Sequence, residues 1–153
     1  MPKLELRIPP PVVLALTALL MWLAAWALPS LRLMFPGRVL LAMAILISGM
    51  LIILAGLIEF RRARTTVNPL NPEAATSLVV EGVYGLTRNP MYLGMAVILI
   101  AWAVYLANPV SLIAVPLFIV YMNRFQIVPE EKVLELLFKS EFKSYMTRVR
   151  RWL

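Results

Sequence analysis

The run VLLAMAILISGMLIILAGLI, from Val39 to Ile58, contains twenty residues and no charged side chain. A helix needs about 20 such residues to cross the hydrocarbon core of a bilayer, so this run is long enough to span a membrane. The whole chain is 61% hydrophobic and only 15% charged, which is typical of an integral membrane protein. We therefore predict an all-α integral membrane protein with four transmembrane helices, formed by the uncharged runs at residues 12–28, 39–58, 91–107 and 110–123.

The short connections between these runs indicate how the helices are joined. Asn108 and Pro109 separate the third run from the fourth. An Asn-Pro pair favours a turn, so the last two helices are predicted to form a hairpin. The first run is too long for the hydrophobic region of a cleaved signal peptide, and a second membrane run follows it, so it is expected to remain as a helix. Residues 1–153 are thus predicted to form a single membrane domain.

Positively charged residues are distributed unevenly between the two ends of the predicted helices. Lys3 and Arg7 precede the first helix, four arginines lie between the second and third, and seven lysines or arginines follow the fourth. Only Arg32 and Arg38 lie on the other side. By the positive-inside rule, both termini are predicted to be cytoplasmic. The net charge of +7 is attributed to topology and anionic lipids, and no nucleic-acid partner is expected, because no basic and aromatic single-strand platform accompanies the charge.

The residue types that are missing restrict the possible chemistry. The sequence has no Cys, no His and no Asp, so eight glutamates supply all of its side-chain carboxylates. A disulfide, a Cys or His nucleophile, an imidazole base and an ordinary zinc site are excluded, and no metal is expected. The polar residues are concentrated in two predicted cytoplasmic segments, 66–94 and 124–152, which must hold any active site.

The second cytoplasmic segment is predicted to contain an amphipathic helix near the C-terminus. Pro129 and the two glutamates that follow it suit a helix start. Apolar residues then recur at helical spacing up to Val149, with lysines mostly on other faces. Arg148, Arg150 and Arg151 make the tail basic. The simplest interpretation is an interfacial anchor on anionic headgroups.

The first cytoplasmic segment ends in EGVYGLTRNPMYLG, Glu81 to Gly94, where polar residues and glycines meet the third apolar run. Asn89 and Pro90 are a natural helix start, since proline fits the first turn. Free amides at such an end attract anions, and Tyr92 and Gly94 would place a phenol and a bare backbone patch beside them. Taken alone, the pattern favours an ordinary helix cap with an interfacial aromatic belt over an anion site.

Three charged residues beyond the fourth run each have two interpretations. Arg124 either extends towards the membrane surface or faces a polar cavity and binds a carboxylate or phosphate. Glu130 and Glu131 either cap a helix and meet solvent or face that cavity. Neighbouring helical positions point about 100° apart, so we expect at most one of the two glutamates to face a cavity.

Three elements of the sequence, taken in order, resemble an integral-membrane methyltransferase superfamily. They are GVYGLTRNPMYLG, NRFQIVPEEKVLE and FKSEFKSYMTRVRRW, within the stretch from Asn68 to Trp152. The superfamily includes isoprenylcysteine carboxyl methyltransferases and phospholipid N-methyltransferases, and this chain resembles its bacterial-type members. The resemblance implies a methyltransferase that depends on S-adenosylmethionine and releases S-adenosylhomocysteine. It also implies a cofactor site at the cytoplasmic ends of the last two membrane helices, closed by the C-terminal segment.

The resemblance further implies roles for individual residues. The residues implied to bind the cofactor are Tyr84, Arg88, Asn89, Pro90, Tyr92, Gly94, Glu130 and Glu131. The residues implied to be catalytic are Arg124, Glu131 and Tyr92. Glu131 would hold the ammonium of the cofactor, and Arg124 would hold an anionic acceptor or headgroup. If the acceptor is an amine, the glutamate pair or Tyr92 would take its proton. Methyl transfer needs alignment and exclusion of water more than a nucleophilic side chain, so the lack of Cys and His is no handicap.

Two departures from the superfamily's pattern bear on the methyl acceptor. Asn89 stands where the carboxyl methyltransferases usually have His, whereas the phospholipid enzymes share the NPMY stretch. Lys139 and Phe142 replace the Gly and the Tyr of the usual tail. A lipophilic acceptor with an isoprenylcysteine-like carboxylate is favoured over a phospholipid amine or a small lipophilic thiol. A transporter or a non-catalytic scaffold is the alternative class, and a transporter is disfavoured because no ionisable residue interrupts the apolar runs. The sequence carries no clear signal for the oligomeric state.

Overall fold

The computed structural model describes residues 5–66, 68 and 70–153, and every regular element within these ranges is helical. The all-α prediction is therefore confirmed for the described part of the chain. Lys3, which contributed to the predicted orientation, and residues 67 and 69 of the predicted segment 66–94 lie outside the described residues. The main helices are α1 (Pro10–Ala27), α2 (Arg38–Arg62), α3 (Pro90–Leu106), α4 (Pro109–Leu112), α5 (Ala114–Met122) and α6 (Val128–Arg148), with a π-helical turn, Asn123–Ile127, between α5 and α6.

Three helical stretches among the described residues are long and apolar enough to cross a membrane. They are α1, α2 and the nearly continuous stretch Pro109–Arg148, which contains α4, α5 and α6. The third predicted span corresponds to α3, which is apolar but has only 17 residues. The predicted boundaries were close for α1, whereas α2 continues past its apolar run to Arg62. The helical stretch that begins at Pro109 also runs far beyond the predicted end at residue 123.

The hydrophobic core is built around α3, which packs against α2, α1 and α5. Its centre is formed by side chains that are no more than 2% exposed, among them Met21 of α1, Leu99 of α3, and Phe118 and Met122 of α5. Many large apolar side chains of α1 and α2 are exposed instead, such as Leu40 at 74%. This distribution is expected for helices whose outer surface faces lipid rather than water.

The turn between α3 and α4 agrees with the predicted Asn-Pro hairpin. Ala107 has a positive φ of 51°, and the side chain of Asn108 accepts a hydrogen bond from the amide of Val110 at 3.0 Å. Asn108 also donates from Nδ2 to the carbonyl of Leu28 at 3.0 Å, and Ser111 Oγ donates to the carbonyl of Met21 at 2.9 Å. These bonds satisfy buried polar groups and attach α1 to the hairpin.

The C-terminal helix α6 is bent, because Lys139 has φ 43° and ψ −113° inside an otherwise helical segment. Beyond the bend, Phe142, Tyr145 and Val149 are buried and pack against apolar residues of the segment before α3, including Leu78 and Val80. The apolar positions beyond the bend thus cover the loop. The single amphipathic helix predicted from the spacing is divided in two, and an interfacial anchor role for it stays a prediction.

Lys139→Gly is expected to stabilise the protein by about 1 kcal/mol, because a positive φ is strained for any residue that carries a Cβ. The measurement is thermal unfolding of the purified protein in detergent. Lys132→Gly is the matched control, since Lys132 is also an exposed lysine of α6 but lies in ordinary helical backbone. The control should destabilise by about 1 kcal/mol. Equal losses of stability in both variants would contradict the strain at Lys139.

Candidate functional site

A cavity of about 120 Å³ lies where the start of α3, the end of α2, the loop before α3 and helix α6 meet. One wall is polar and is formed by Arg88, Asn89, Tyr92, Glu130 and Glu131. The rest of the lining is mostly aromatic and apolar and comes largely from α2, the loop before α3 and α6. It includes Phe60, Leu78, Tyr84, Leu134, Phe142 and Tyr145. The lining of the cavity thus combines a few charged side chains with many apolar ones, as in sites that bind small molecules.

The polar wall begins at the predicted start of α3. Pro90 occupies the first helical turn, where its missing amide hydrogen costs nothing. The amide of Asn89 donates to Thr87 Oγ1 at 3.2 Å. The side chain of Asn89 does not cap the helix; its Nδ2 donates to the carbonyl of Arg151 at 2.9 Å, and Thr87 Oγ1 donates to the same carbonyl at 3.2 Å. The helix start is therefore bound to the C-terminal tail.

Arg88 holds the tail at several further points. Its backbone amide donates to the carbonyl of Arg150 at 3.0 Å. Its Nη1 donates to the carbonyls of Met146 and Val149, both at 3.2 Å. A guanidinium can donate five hydrogen bonds in fixed directions, so one side chain binds both α6 and the tail beyond it. The structure thus brings the C-terminal segment over the motif at the start of α3.

Glu131 is bound by two guanidinium groups. Arg88 Nη2 donates to its Oε1 at 2.9 Å, while Arg151 donates to Oε1 from Nε at 3.1 Å and to Oε2 from Nη2 at 2.5 Å. Arg151 was not identified as a site residue from sequence, where it was assigned to a headgroup-binding tail. The only local signal was its charge, and a charged tail does not show which carboxylate it will meet.

Glu130 has neutral partners. Its Oε1 accepts a hydrogen bond from Tyr92 Oη at 2.6 Å and another from Gln126 Nε2 at 2.7 Å. Gln126 also escaped the sequence analysis, although its position four residues before Glu130 is the spacing at which helical side chains meet. The expectation that at most one of the paired glutamates faces a cavity was wrong. Both line it, and each has its own partner there: Glu131 binds Arg88, and Glu130 binds Tyr92.

Tyr84 contributes an uncharged phenol to the cavity wall. Burial raises the pKa of the Tyr84 phenol well above its ordinary value, with smaller contributions from Tyr145 and the charge of Glu130. Its ring packs edge-on against Phe60 with 5.5 Å between centroids, and its carbonyl accepts a hydrogen bond from Tyr145 Oη at 2.7 Å. Tyr84 can therefore shape the wall and offer hydrogen bonds, but it does not supply a phenolate base near neutral pH.

One polar atom of this wall has no partner within the described part of the chain. It is Arg88 Nε, a buried N–H donor of a side chain that is only 12% exposed. Leaving such a donor unsatisfied costs about 1–3 kcal/mol. This atom has almost no accessible surface, so it lies within the packed wall.

Three residues predicted to belong to the site do not line this cavity, and their roles stay predictions. Arg124 does not line the cavity; its guanidinium pairs with Glu5 at 2.9 Å and its side chain is 52% exposed. The π-helical turn that contains Arg124 shifts the phase of the helix, so Glu130 lines the cavity instead, and Gln126 binds Glu130. Gly94 lies at the crossing of α2 and α3, and Pro90 is buried against Gly56, so neither lines the cavity.

Comparison with known proteins shows which families and proteins this sequence resembles. A family model described as phospholipid methyltransferase matches residues 37–141, which include α2, α3, α5 and both glutamates of the cavity. Two Arabidopsis thaliana proteins, Protein-S-isoprenylcysteine O-methyltransferase B and A, are 32% and 36% identical over 110 and 107 residues. These matches cover 70% and 68% of this chain and 54% and 53% of the plant proteins, so the chain spans about half their length. An uncharacterized protein of Haemophilus influenzae is 44% identical over 63 residues, which are 41% of this chain and 100% of that protein.

Proposed function

The chain belongs to the phospholipid methyltransferase family, and from this premise we propose that it is a membrane enzyme that methylates a lipophilic acceptor with S-adenosylmethionine. The observation that supports this function best is the polar wall of the cavity. Arg88 and Tyr92 at the start of α3 meet Glu130 and Glu131 on α6, about forty positions later in the sequence, and all four line one cavity. A non-catalytic scaffold has no need for such a cluster of buried charges.

The residues of the cavity fit S-adenosylmethionine. That cofactor supplies a methyl group on a positively charged sulfur and also carries an amino-acid ammonium, a carboxylate and an adenosine. Arg88 lines the cavity with a guanidinium, which suits a carboxylate, and the two glutamates offer acceptors for a cation. The rings of Phe60, Tyr84, Phe142 and Tyr145 offer apolar faces for a planar base.

The contribution of the chain to catalysis is alignment and exclusion of water. The aromatic wall and the C-terminal tail shield the polar wall, and Tyr92, at 5% exposure, is held by its bond to Glu130. A fixed geometry of this kind accounts for much of the rate gain in displacement reactions. A carboxylate acceptor carries no proton that must be removed, so it requires no general base. An amine does, and Glu130 is the group of this wall placed to receive its proton.

A lipophilic carboxylate resembling isoprenylcysteine is the favoured acceptor. The names of the two plant proteins support it. A phospholipid amine is the second candidate, supported by the description of the matching family model. The acceptor class can be read from the product formed with labelled cofactor, because a methyl ester releases methanol in alkali and an N-methyl group does not. Alkali-stable product from a phosphatidylethanolamine acceptor would establish the second candidate.

We further propose that the chain crosses the membrane four times, with α3 as the additional short span. A helix of 17 residues is about 25 Å long and reaches the lower limit for crossing. Arg61, Arg62 and Arg88 lie at the cavity end of the bundle, and Arg38 binds the carbonyl of Tyr105 at the other end of α3. By the positive-inside rule, this distribution supports a cytoplasmic cavity and cytoplasmic termini. The resemblance to bacterial-type members supports a bacterial inner membrane. A lipophilic acceptor would reach the cavity from the inner leaflet.

The test of the proposed function is calorimetric titration of the detergent-purified protein with S-adenosylhomocysteine. We expect saturable binding to the wild type, and binding about 3- to 10-fold weaker in Tyr92→Phe, which removes one hydrogen bond to Glu130. Tyr105→Phe is the matched control, because Tyr105 lies at the opposite end of the same helix and is 45% exposed. Its affinity should equal that of the wild type. No saturable binding by folded wild-type protein would favour a non-catalytic membrane scaffold.

A further inference from the structure

The end of the helix bundle opposite the cavity carries two arginines and no acidic residue. Arg32 lies between α1 and α2, and Arg38 is the first residue of α2. The sequence has no Asp, and it has no Glu in residues 6–58 or 82–129, the two ranges that form this end of the bundle. Neither arginine takes part in an ion pair of the described residues. The two positive charges therefore have no counter-ion within the described fold.

Both arginines are attached to the last turn of α3. The amide of Leu33, the residue after Arg32, donates to the carbonyl of Ala107 at 2.6 Å. Arg38 Nη1 donates to the carbonyl of Tyr105 at 3.1 Å, and the central carbon of its guanidinium lies 6.0 Å from the centre of the Tyr105 ring. An arginine without such contacts would simply extend towards the membrane surface. The guanidinium of Arg38 is instead held in place.

Most of the hydrogen-bonding capacity of Arg38 is unused within the described part of the chain. A guanidinium has five N–H donors, and the bond from Nη1 to the carbonyl of Tyr105 uses one of them. The side chain is only half-buried, so an outside molecule can reach the remaining donors. Oxygen anions such as phosphates bind to a guanidinium through several such donors at once. Arg38 is thus suited to a phosphate group.

An aromatic pair lies next to Arg38 on the surface of α3. The rings of Trp102 and Tyr105 stack with 5.3 Å between their centroids and 14° between their planes. Trp102 Nε1 donates to the carbonyl of Ala18 in α1 at 3.0 Å, while Tyr105 contacts Arg38 of α2. The pair therefore bridges α1 and α2. Tyr105 is 45% exposed, so part of this flat apolar surface is open to contact.

The helices on both sides of the aromatic pair add exposed apolar side chains. Trp22 follows Ala18 by one turn of α1, and Leu41 follows Arg38 by one turn of α2; both are exposed. Side chains three or four positions apart lie on the same face of a helix. Because α1 and α2 are long and apolar enough to cross a membrane, this surface meets acyl chains rather than water. An apolar surface for acyl chains thus adjoins a fixed cation.

We infer that this surface binds an anionic phospholipid from the leaflet opposite the cavity. The phosphate accepts hydrogen bonds from Arg38, with Arg32 as a second cation, and an acyl chain lies on the Trp102–Tyr105 pair between α1 and α2. A headgroup with a net negative charge supplies the counter-ion that this end of the bundle lacks, whereas a zwitterionic headgroup brings its own cation. The bound lipid fastens α1 and α2 to the end of α3. This inference does not depend on the proposed methyl transfer.

The test is native mass spectrometry of the whole chain in detergent, with equal amounts of phosphatidylglycerol and phosphatidylcholine. The wild type should bind its first phosphatidylglycerol more tightly than phosphatidylcholine. Arg38→Gln keeps a donor for the carbonyl of Tyr105 but removes the charge, so it should weaken phosphatidylglycerol binding about 5-fold and leave phosphatidylcholine binding unchanged. Arg61→Gln is the matched control, because Arg61 is exposed at the cavity end of the same helix. It should bind the first phosphatidylglycerol as the wild type does.

The contribution of the aromatic pair is measured in the same way with Tyr105→Ala. Both lipids should then bind about 3- to 10-fold more weakly, because the two lipids share the acyl contact. Leu40→Ala is the control for lost apolar surface, since Leu40 is exposed on α2 but points about 200° away from Arg38. It should leave both affinities unchanged. Unfolding temperatures identify variants that have lost the fold. If Arg38→Gln does not fold, Arg32→Gln tests the charge, because the side chain of Arg32 is exposed.

Four outcomes would overturn the inference. The first is an equal loss of phosphatidylglycerol binding in Arg38→Gln and Arg61→Gln, which would show only general attraction to the basic chain. The second is displacement of the lipid by excess inorganic phosphate, which would show a site for a free anion. The third is a dimer in the wild-type spectrum that disappears in Tyr105→Ala, which would show that a second copy of the chain covers the surface. The fourth is a folded wild type that prefers neither lipid.

Discussion

Gly94→Val is expected to prevent α2 from packing against α3 and to destabilise the protein by about 3 kcal/mol or more. A Cβ atom at position 94 would lie 2.6 Å from the carbonyl oxygen of Gly49 and 2.6 Å from Cγ1 of Ile53. A Cβ at Gly49 would likewise lie 2.9 Å from the carbonyl oxygen of Gly94. Because backbone atoms occupy the space on both sides, no change of side-chain rotamer can relieve the overlap. Small residues permit such close approach in membrane helix pairs.

The measurement for Gly94→Val is the yield of folded protein and its unfolding temperature in detergent. A loss of about 3 kcal/mol corresponds to roughly 10 °C for a chain of this size. Gly85→Val is the matched control, because a Cβ at Gly85 would have only the carbonyl of Val80 within 4 Å, at 3.9 Å. If both variants unfold at the wild-type temperature, the close crossing of α2 and α3 is wrong.

Arg88→Met is expected to cost about 3 kcal/mol of stability and to weaken S-adenosylhomocysteine binding more than about 10-fold. The substitution keeps an unbranched apolar side chain but removes the guanidinium and all of its donors. Glu131 would keep Arg151 as its only cation, and the carbonyls of Met146 and Val149 would lose their bonds to Nη1. The tail would then be held over the start of α3 by fewer contacts. Arg88→Lys should recover only part of both losses, since one ammonium cannot replace a planar fork of donors.

Arg62→Met is the control for Arg88→Met. Arg62 also forms an ion pair with a glutamate, Glu59, at the same distance of 2.9 Å, but its side chain is 72% exposed. An exposed pair contributes at most about 1 kcal/mol, so this variant should unfold near the wild-type temperature and bind the ligand normally. Equal effects of the two substitutions would show that burial of Arg88 does not matter and would contradict its central place in the site.

The fold class was readable from sequence because membrane helices obey a length rule. A backbone in lipid must satisfy its own hydrogen bonds, so an uncharged run such as Val39 to Ile58 has few structures open to it. The start of α3 at Pro90 and the turn at Asn108 were equally local, since proline and asparagine restrict the backbone wherever they stand. The cavity residues on α3 and α6 were predicted from a resemblance, and the structure brings Arg88, Tyr92, Glu130 and Glu131 together.

Only the tertiary structure showed which partners each of those residues binds. Glu130 and Glu131 are neighbours in sequence, yet one meets a phenol and an amide while the other meets two guanidinium groups. Arg124 does not line the cavity, and the π-helical turn between α5 and α6 brings Gln126 to Glu130.

Arg151 joined the site through its ion pair with Glu131, twenty residues earlier in the chain. Gly94 lies instead at the crossing of α3 with α2, where a side chain would overlap the backbone of Gly49. Local patterns therefore determined that this is a helical membrane protein with a polar motif at one end of α3. Charge pairing and helix contact depend on distances between remote residues, and only the packed chain sets those distances.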